Sequence, residues 1–396
     1  MNDSDFKNLD PTVKKLGVVS FFADVASEML YPITPIFLTT ILGASMSSLG
    51  IIEGTAEAIA SLLKTYSGVW SDRLSKRKPF IILGYLLGGI SKPFIGISTS
   101  WFQVLFLRVL DRTGKGLRSS PRDALIADVV SPSQRGSAFG WHRSMDTLGA
   151  AVGPLLTITL LSLTTLQLRS LYFFALIPGL LSVAMAMTIK EQKHPLPRVA
   201  NTKTNWSLKQ LTPSLKTYLI AWTIFSLTNS SDVFILMKAK NSGFSTNMIV
   251  FLYCAYNLIY ALSSPYIGSL SDKLPRKYLM FFGLLTYSFV YLGFGLSSEP
   301  WHYWILFIFY GLYMGATDGV GKALAVDLSP EHQKATILGL LGTSTGFATI
   351  IASSLAGIIW DSIGSSYTFF FGTLGALLAS ALILTLKTSE PDQKFT

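Results

Sequence analysis

Asp24 and Glu28 lie one helical turn apart inside an apolar stretch of this 396-residue sequence. At that spacing two carboxylates share one face of a helix. An ionisable group is costly in an apolar setting, so where it persists it usually faces a cavity and marks function. A carboxylate held there can take up and release a proton. Asp24 and Glu28 are therefore the leading proton-coupling candidates, with Arg112 as the cation that resets them. Other charges sit in similar settings: Glu53, Glu57 and Lys64; Arg108, Asp111, Arg112 and Lys115; then His142, Arg143 and Asp146. The second half is sparser, with Asn229, Asp232, Asn257, Asp318 and Lys322. Tyr31, Glu57, Arg108, Asn229, Asp232, Tyr256, Asn257 and Asp318 are the candidates for lining a solute cavity. Each charge also has a structural reading, as one member of a neutralised ion pair. Glu53 and Glu57 also fit a wet outer helix end, Arg118 and Arg122 a basic cytoplasmic rim, and His142 polar packing.

The elements that position these groups follow from composition. Half of the residues are hydrophobic and 14% are charged, against about a quarter charged in a soluble domain. The apolar residues gather in blocks such as 80–99, 172–189, 278–296 and 367–386. Blocks of about 20 residues cross a hydrocarbon core of roughly 30 Å as helices. Lipid offers the backbone no hydrogen-bond partner, so spanning segments are helices or closed barrels, and continuous apolar blocks select helices. Twelve spans are expected, near 14–40, 47–70, 79–99, 102–122, 137–165, 169–190, 215–238, 245–268, 277–297, 301–324, 334–360 and 365–387.

The formal charge of +10 does not point to nucleic acid, because the Lys and Arg residues gather in a few short loops. That placement is the positive-inside pattern. It puts both termini in the cytoplasm, with Arg169, Lys238 and Lys240 as exceptions. Trp101, Trp301 and Trp360 fit interfacial anchoring. The single cysteine, Cys254, permits no internal disulfide, and the four histidines are scattered, so no metal or cofactor is expected. The polar start of the chain, with Asp3, Asp5 and Asp10, does not read as a signal peptide. No phosphate-cradling loop, zinc-protease pair or nucleophile elbow occurs, so an enzyme is not expected.

The stretch 190–213 is basic and contains Pro195, Pro197 and Pro213. It divides the chain into expected six-helix halves at 1–190 and 214–396, joined by a cytoplasmic linker at 191–213. The halves share text. Gly68, Asp72, Arg73, Leu74 and a basic cluster at Lys76, Arg77 and Lys78 recur as Gly268, Asp272, Lys273, Leu274, Arg276 and Lys277. A second match pairs Ala127–Arg135 with Val326–Lys334, one residue slipped. Matched loops at nearly one offset indicate an internal repeat.

The Gly68 to Lys78 text resembles the signature loop of the major facilitator superfamily, and its weaker copy lies where that family repeats it. Arg112 to Gly116 resembles the family's Arg-x-x-x-Gly motif. Gly149, Gly153 and Pro154 resemble the Gly-x-x-x-Gly-Pro motif of its antiporter branches, although the paired glycines that usually close that motif are replaced by Leu155 to Ile158. The resemblance implies an all-α membrane protein of twelve transmembrane helices in two pseudo-symmetric six-helix bundles. It further implies a conformational gate at Gly68, Asp72, Arg73, Gly268, Asp272 and Lys273, in which Asp72 and Arg73 form a charge network tying helix ends together. A carboxylate in that role suits a helix N-terminus. Gly149 and Gly153, one turn apart, give a flat face for close helix packing, with a matching face at Gly342 and Gly346 as a seam between the halves.

The resulting expectation is a proton-coupled secondary transporter, monomeric, in the bacterial inner (plasma) membrane. It would work by rocking one half against the other and would export a small organic solute such as a drug, a metabolite or a siderophore-like compound. Its expected partners are protons, a small-molecule substrate and membrane lipids. Two alternatives stay open: an importer or exchanger of an organic anion, for which Arg108, Arg112 and Lys115 offer cationic partners, and a non-transporting membrane receptor or sensor.

Overall fold

A computed structural model describes residues 9–131, 135–163, 166–190, 211–271, 273–297, 299–329 and 334–387, with no strand among them. The helices are α1 (Pro11–Glu28), α2 (Met46–Leu74), α3 (Lys78–Ile97), α4 (Trp101–Asp128) and α5 (Arg135–Leu163), followed by α6 (Leu168–Met187) and α7 (Pro213–Asn241). The remainder are α8 (Thr246–Ser271), α9 (Arg276–Leu296), α10 (Pro300–Asp327), α11 (Lys334–Ser362) and α12 (Ser365–Leu384). Eight of them, α3, α5 to α9, α11 and α12, are long and apolar enough to cross a membrane. The other four are less apolar for a reason that bears on function. α1, α2 and α4 carry the charges singled out above, and α10 carries Tyr303, Tyr310, Tyr313, Asp318 and Lys322. Large apolar side chains also face outward: Leu163, Tyr266 and Leu296 are 79%, 77% and 69% exposed. An exterior of that kind needs a lipid covering.

Two expected spans are not continuous. The first stops at Glu28, resumes at Thr34–Ile36 and ends in a π turn at Phe37–Ile41. Pro32 and Pro35 lack amide donors, so the regular bonding pattern cannot run through them. Side-chain hydroxyls add bonds to carbonyls around the break. Thr157 of α5 donates to Met29 O at 2.7 Å, and the Thr34 hydroxyl donates to Leu30 O at 2.7 Å. The seventh breaks between Thr228 and Val233, where Ser231 N donates to Ser353 Oγ at 3.3 Å. Membrane helices tolerate such breaks where neighbouring protein groups re-satisfy the backbone.

The chain divides into two compact units, Met1–Ala44 with Thr55–Asn201, and Ser45–Gly54 with Thr202–Thr396. The expected linker at 191–213 lies almost wholly outside the described residues. In the first unit α1 packs on α5 and α6, and α3 on α4 and α6. In the second, α7 packs on α11 and α12, and α9 on α10 and α12, which is the same pairing six helices later. The first turns of α2, counted in the second unit, are capped by Asp361, which accepts from Met46 N at 3.1 Å and Ser47 N at 2.7 Å.

Individual bonds repeat as well. Lys15 Nζ donates to Thr188 O at 3.1 Å, and Ser214 Oγ to Lys387 O at 3.0 Å. Lys78 Nζ donates to Met187 O at 2.8 Å, and Lys277 Nζ to Leu386 O at 3.0 Å. Arg77 lies 3.5 Å from Asp128, and Arg276 lies 2.5 Å from Asp327. Every position in these bonds differs from its counterpart by 199. The turns into α2 and α8 use Gly43 (φ +62°) and Gly243 (φ +91°), backbone that favours glycine. They differ by 200, so the second half has gained one residue between Ser214 and Gly243 and lost one between Leu274 and Arg276.

Candidate functional site

In the first unit the charges converge from α1, α2, α3, α4 and α5. Asp111 is buried and has three cations around it. Lys92 Nζ donates to its Oδ1 at 3.0 Å, Arg108 lies 3.7 Å away and Arg112 3.9 Å away. Lys92 also donates to Gly88 O at 2.7 Å. A carboxylate with three cationic neighbours in an apolar bundle is a locked structural knot, because removing it would strand buried positive charge.

Lys115, one turn beyond Arg112, is the centre of a second group. It is acted on by Arg112 as a like charge and by Glu57, Asp24 and Glu28 as opposite charges. Asp24 in turn is acted on by Asp146 and Glu28 as like charges and by Arg118 and Lys115 as opposite ones. α1, α2, α4 and α5 thus bring these charges into one electrostatic group. Asp24 and Glu28 are half-buried, while Glu57 and Lys115 are exposed. Close packing keeps α1 and α5 in register: a Cβ at Gly149 would stand 2.5 Å from Phe21 O and 3.0 Å from the Asp24 Cβ. One at Gly153 would stand 2.8 Å from Met29 N and Val25 O. The Gly149 and Gly153 face therefore packs within the first unit, against α1. A Cβ at Gly342 would meet open space. Pro154 lies inside α5, which continues to Leu163.

Toward the loop ends, Arg122 donates to Asp123 at 2.9 Å and to Ser20 Oγ at 3.4 Å, and Ser20 Oγ donates to Asp146. Buried His142 lies 3.8 Å from Asp146, beyond hydrogen-bond reach. Arg118 is buried with its guanidinium 4.2 Å from the Tyr85 ring centroid. Arg118 and Arg122 are thus packed groups, not only a basic rim, and Glu53 is buried instead of wet. Arg169, an exception to the loop-charge pattern, donates to Gly96 O and Ser98 O at 2.7 and 2.9 Å. It answers the free carbonyls at the end of α3.

The loop motif differs from expectation in its wiring. Asp72 pairs with Arg77, not Arg73. Arg77 also reaches Asp128 and donates to Ser71 Oγ at 2.6 Å, whereas Arg73 is exposed. Asp72 lies in the last turn of α2 and not at a helix N-terminus. The helix dipole disfavours a carboxylate there, and buried Arg77 offsets it. Gly68 packs close to α4, with its built Cβ 3.2 Å from Ser120, but Gly268 has open space. Lys273 is exposed, and Asp272 lies outside the described residues.

The second unit is built differently. At the α7 break, Asp232 accepts from Tyr310 Oη at 2.6 Å and from Tyr256 Oη at 2.9 Å. Asn229 Oδ1 accepts from Tyr287 Oη at 3.0 Å, and Ser230 Oγ shares a hydrogen bond with Tyr291 Oη at 3.1 Å. The rings pack on one another: Tyr287 stacks on Tyr291 at 4.0 Å, and Tyr313 lies 4.8 Å from Tyr287 and 5.5 Å from Tyr310. Tyr256, Tyr287, Tyr291 and Tyr310 are almost wholly buried, while Asn229 and Asp232 are half-exposed. Of the expected cavity residues, Asn229, Asp232 and Tyr256 come together here. Asn257 instead bonds to Tyr253 O of its own helix at 2.9 Å. Asp318 is exposed and held by Lys322 at 2.6 Å and Tyr260 at 2.9 Å. Tyr31 is half-buried at the α1 break.

The repeated pairing of helices, the two broken helices and the charged lining match one kind of protein. The family model of the Major Facilitator Superfamily matches residues 16–254 and 219–396. The chain belongs to the major facilitator superfamily. It is similar to an uncharacterized MFS-type transporter of Methanocaldococcus jannaschii, at 33% identity over 97% of this chain and 96% of that one. It is similar also to multidrug resistance protein 2 of Bacillus subtilis, at 24% identity over 94% of each. Among solved structures, a nucleoside transporter matches its fold with a TM-score of 0.78 at 12% identity, covering 95% of this chain and all of that one. This major facilitator chain is a multi-pass integral membrane protein and a transporter of small molecules, not an enzyme.

Sequence reasoning missed Lys92, although a lysine inside the 80–99 apolar block was a visible signal. It also missed Tyr287, Tyr291, Tyr310 and Tyr313. Their spacing within α9 and α10 reads as ordinary aromatic packing, and only the fold brings them to the α7 break.

Proposed function

We propose that this chain is a proton-coupled secondary transporter of twelve transmembrane helices in two six-helix bundles, divided at the 191–213 linker, with both termini in the cytoplasm of a bacterial plasma membrane. The carrying observation is that Asp24 and Glu28 on α1, Glu57 on α2, and Arg112 and Lys115 on α4 belong to one group of charges within the first unit. A proton arriving on Glu28 or Asp24 removes one carboxylate from that group. Lys115 and Arg112 then shift toward the carboxylates that remain, and the helices carrying them shift too. Parallel halves of this kind alternate access by rocking about a site near the membrane midplane. The matched ties Arg77–Asp128 and Arg276–Asp327 serve as the cytoplasmic gates, and the α7 break serves as the solute-recognition element. Export of a small organic solute is supported by the Gly149-x-x-x-Gly153-Pro154 text and by the name of the Bacillus subtilis relative. The organic-anion reading is weakened by Asp111, because Arg108 and Arg112 both lie within 4 Å of it.

In proteoliposomes, an imposed pH gradient is expected to drive solute movement by the wild-type protein, with proton movement in the opposite direction. Asp24→Asn and Glu28→Gln should each abolish the response to the gradient. Full gradient-driven flux in both variants would overturn the assignment of coupling to α1.

A further inference from the structure

A groove of about 730 Å³ lies where α3 turns into α4, and Thr55 of α2 closes its deep end. Pockets of this size, mostly apolar with a few polar groups, are the usual form of a small-molecule site. We propose that the groove holds one acyl chain of a membrane phospholipid, with the lipid phosphate seated at Gln103 and Arg169. The inference needs only that the chain spans a membrane, and it is independent of proton coupling.

Three observations support it. First, the groove opens toward lipid. Ile90, Phe94 and Ile97 form an exposed stripe on α3, and Phe102 and Phe106 of α4 are 65% and 66% exposed. With 3.6 residues per turn, Phe106 lies about 160° from Arg108 and about 180° from Lys115 around α4. The groove therefore uses the face of α4 turned away from the charge group. Second, its depth is that of one leaflet. α2 and α4 start on the same side of the membrane, and Thr55 and Val109 stand nine and eight residues into them. At about 1.5 Å per residue the floor lies roughly 12–14 Å from the hairpin end. Half of a hydrocarbon core is about 15 Å. Third, the lining is graded in polarity. Apolar side chains line its length, while Ser98, Thr99 and Gln103 line the end at the hairpin. Gln103 Oε1 accepts from Thr99 N at 2.8 Å, so the exposed amide presents its hydrogens to another acceptor. Ser98 O accepts from Arg169 at 2.9 Å, which puts the guanidinium at the mouth. Both carbonyl bonds of Arg169 come from Nη1, and the other edge of the guanidinium keeps donors that suit a phosphate. Arg169 is also a cation that the positive-inside pattern leaves unexplained. A plain hydrocarbon would leave the guanidinium and the amide unused, and a free phosphate would leave the groove unfilled. A phosphate-headed lipid uses both.

The test places the full chain in nanodiscs containing phosphatidylglycerol with a photoactivatable diazirine on one acyl chain, and maps the crosslinked peptides by mass spectrometry. Crosslinks are expected to concentrate on residues 94–109, in excess of those on the other lipid-facing helices. Val109→Trp fills the groove with an indole and should remove that excess. Phe102→Glu, at an exposed position near the mouth, should lower it by repelling the phosphate. Thermal unfolding shows which variants are folded, and Phe102→Glu keeps the test decisive if Val109→Trp is not. Arg169→Gln should lower the excess about two- to fivefold, the range of an exposed charge pair, and Arg169→Lys should lower it less. Neither should alter crosslinking by a diazirine-labelled diacylglycerol, which has no phosphate. An even spread of crosslinks over the lipid-facing helices would mean ordinary surrounding lipid and would overturn the inference. An undiminished excess in the folded groove variants would do the same. Equal losses of phosphatidylglycerol and diacylglycerol crosslinks in Arg169→Gln, or displacement of the lipid by inorganic phosphate alone, would overturn the seating of the phosphate.

Discussion

The two units share a scaffold down to single hydrogen bonds and differ in how they hold a carboxylate among their helices. In the first, Asp111 is held by Lys92, Arg108 and Arg112. In the second, Asp232 is held by the phenols Tyr256 and Tyr310. Cations neutralise a carboxylate and lock it in place, while phenols steady it and leave its charge. The first arrangement suits a fixed structural framework. The second holds its carboxylate at a helix break beside a cluster of aromatic rings. A duplicated fold can thus retain its packing and gates while its interior diverges.

That contrast breaks most sharply at Asp111. Asp111→Asn leaves Lys92, Arg108 and Arg112 without their carboxylate and should cost about 3–5 kcal/mol, the usual result of removing one partner from a buried ion group. Poor yield and a lower unfolding temperature in detergent are the expected readouts, and a variant as stable as wild type would show that the knot is not structural. Next comes the α1–α5 contact. Gly153→Val drives a side chain toward Met29 N and Val25 O and should cost about 1–3 kcal/mol, with transport lost in parallel. Gly342→Val, on open space in the second unit, should leave both nearly unchanged. The smallest effect separates the matched gates. Arg77 is 7% exposed and lies against both Asp72 and Asp128, whereas Arg276 is 24% exposed and Asp327 48%. Arg77→Gln should slow transport strongly. Arg276→Gln should change stability by only about 0.2–1 kcal/mol, as exposed pairs do, with a milder effect on flux. Equal loss in both variants would mean that the two ties carry equal weight.

The scaffold was largely legible in the sequence because apolar blocks and basic loops are local signals. The duplication was legible too, and the structure added the matched bonds of Lys15 and Ser214, which show a second change of offset before Gly243. Broken helices were harder to read. Pro32 was visible, but a proline in a membrane helix kinks it as often as it stops it, and the α7 break contains no proline at all. The site was legible where chemistry is rare. Asp24, Glu28, Glu57, Arg112, Asn229 and Asp232 stand out because charge and amide are scarce in apolar blocks. The tyrosines were not legible, since an aromatic ring in a membrane helix is ordinary until the fold turns its hydroxyl toward a carboxylate. Arg77 was taken for a topological anchor because it sits in a basic cluster, and its burial against Asp72 and Asp128 is a three-dimensional fact.

The most direct test of the divided interior measures binding and coupling together in Glu28→Gln and Asp232→Asn. Affinity for a transported solute is read on purified protein, and its pH-gradient-driven movement is read in proteoliposomes made from the same preparation. Glu28→Gln is expected to bind within a fewfold of wild type and to ignore the gradient, while Asp232→Asn is expected to lose binding itself. If Glu28→Gln lost affinity as severely as Asp232→Asn, or if Asp232→Asn bound normally and lost only its response to the gradient, the division between a coupling unit and a recognition unit would be contradicted.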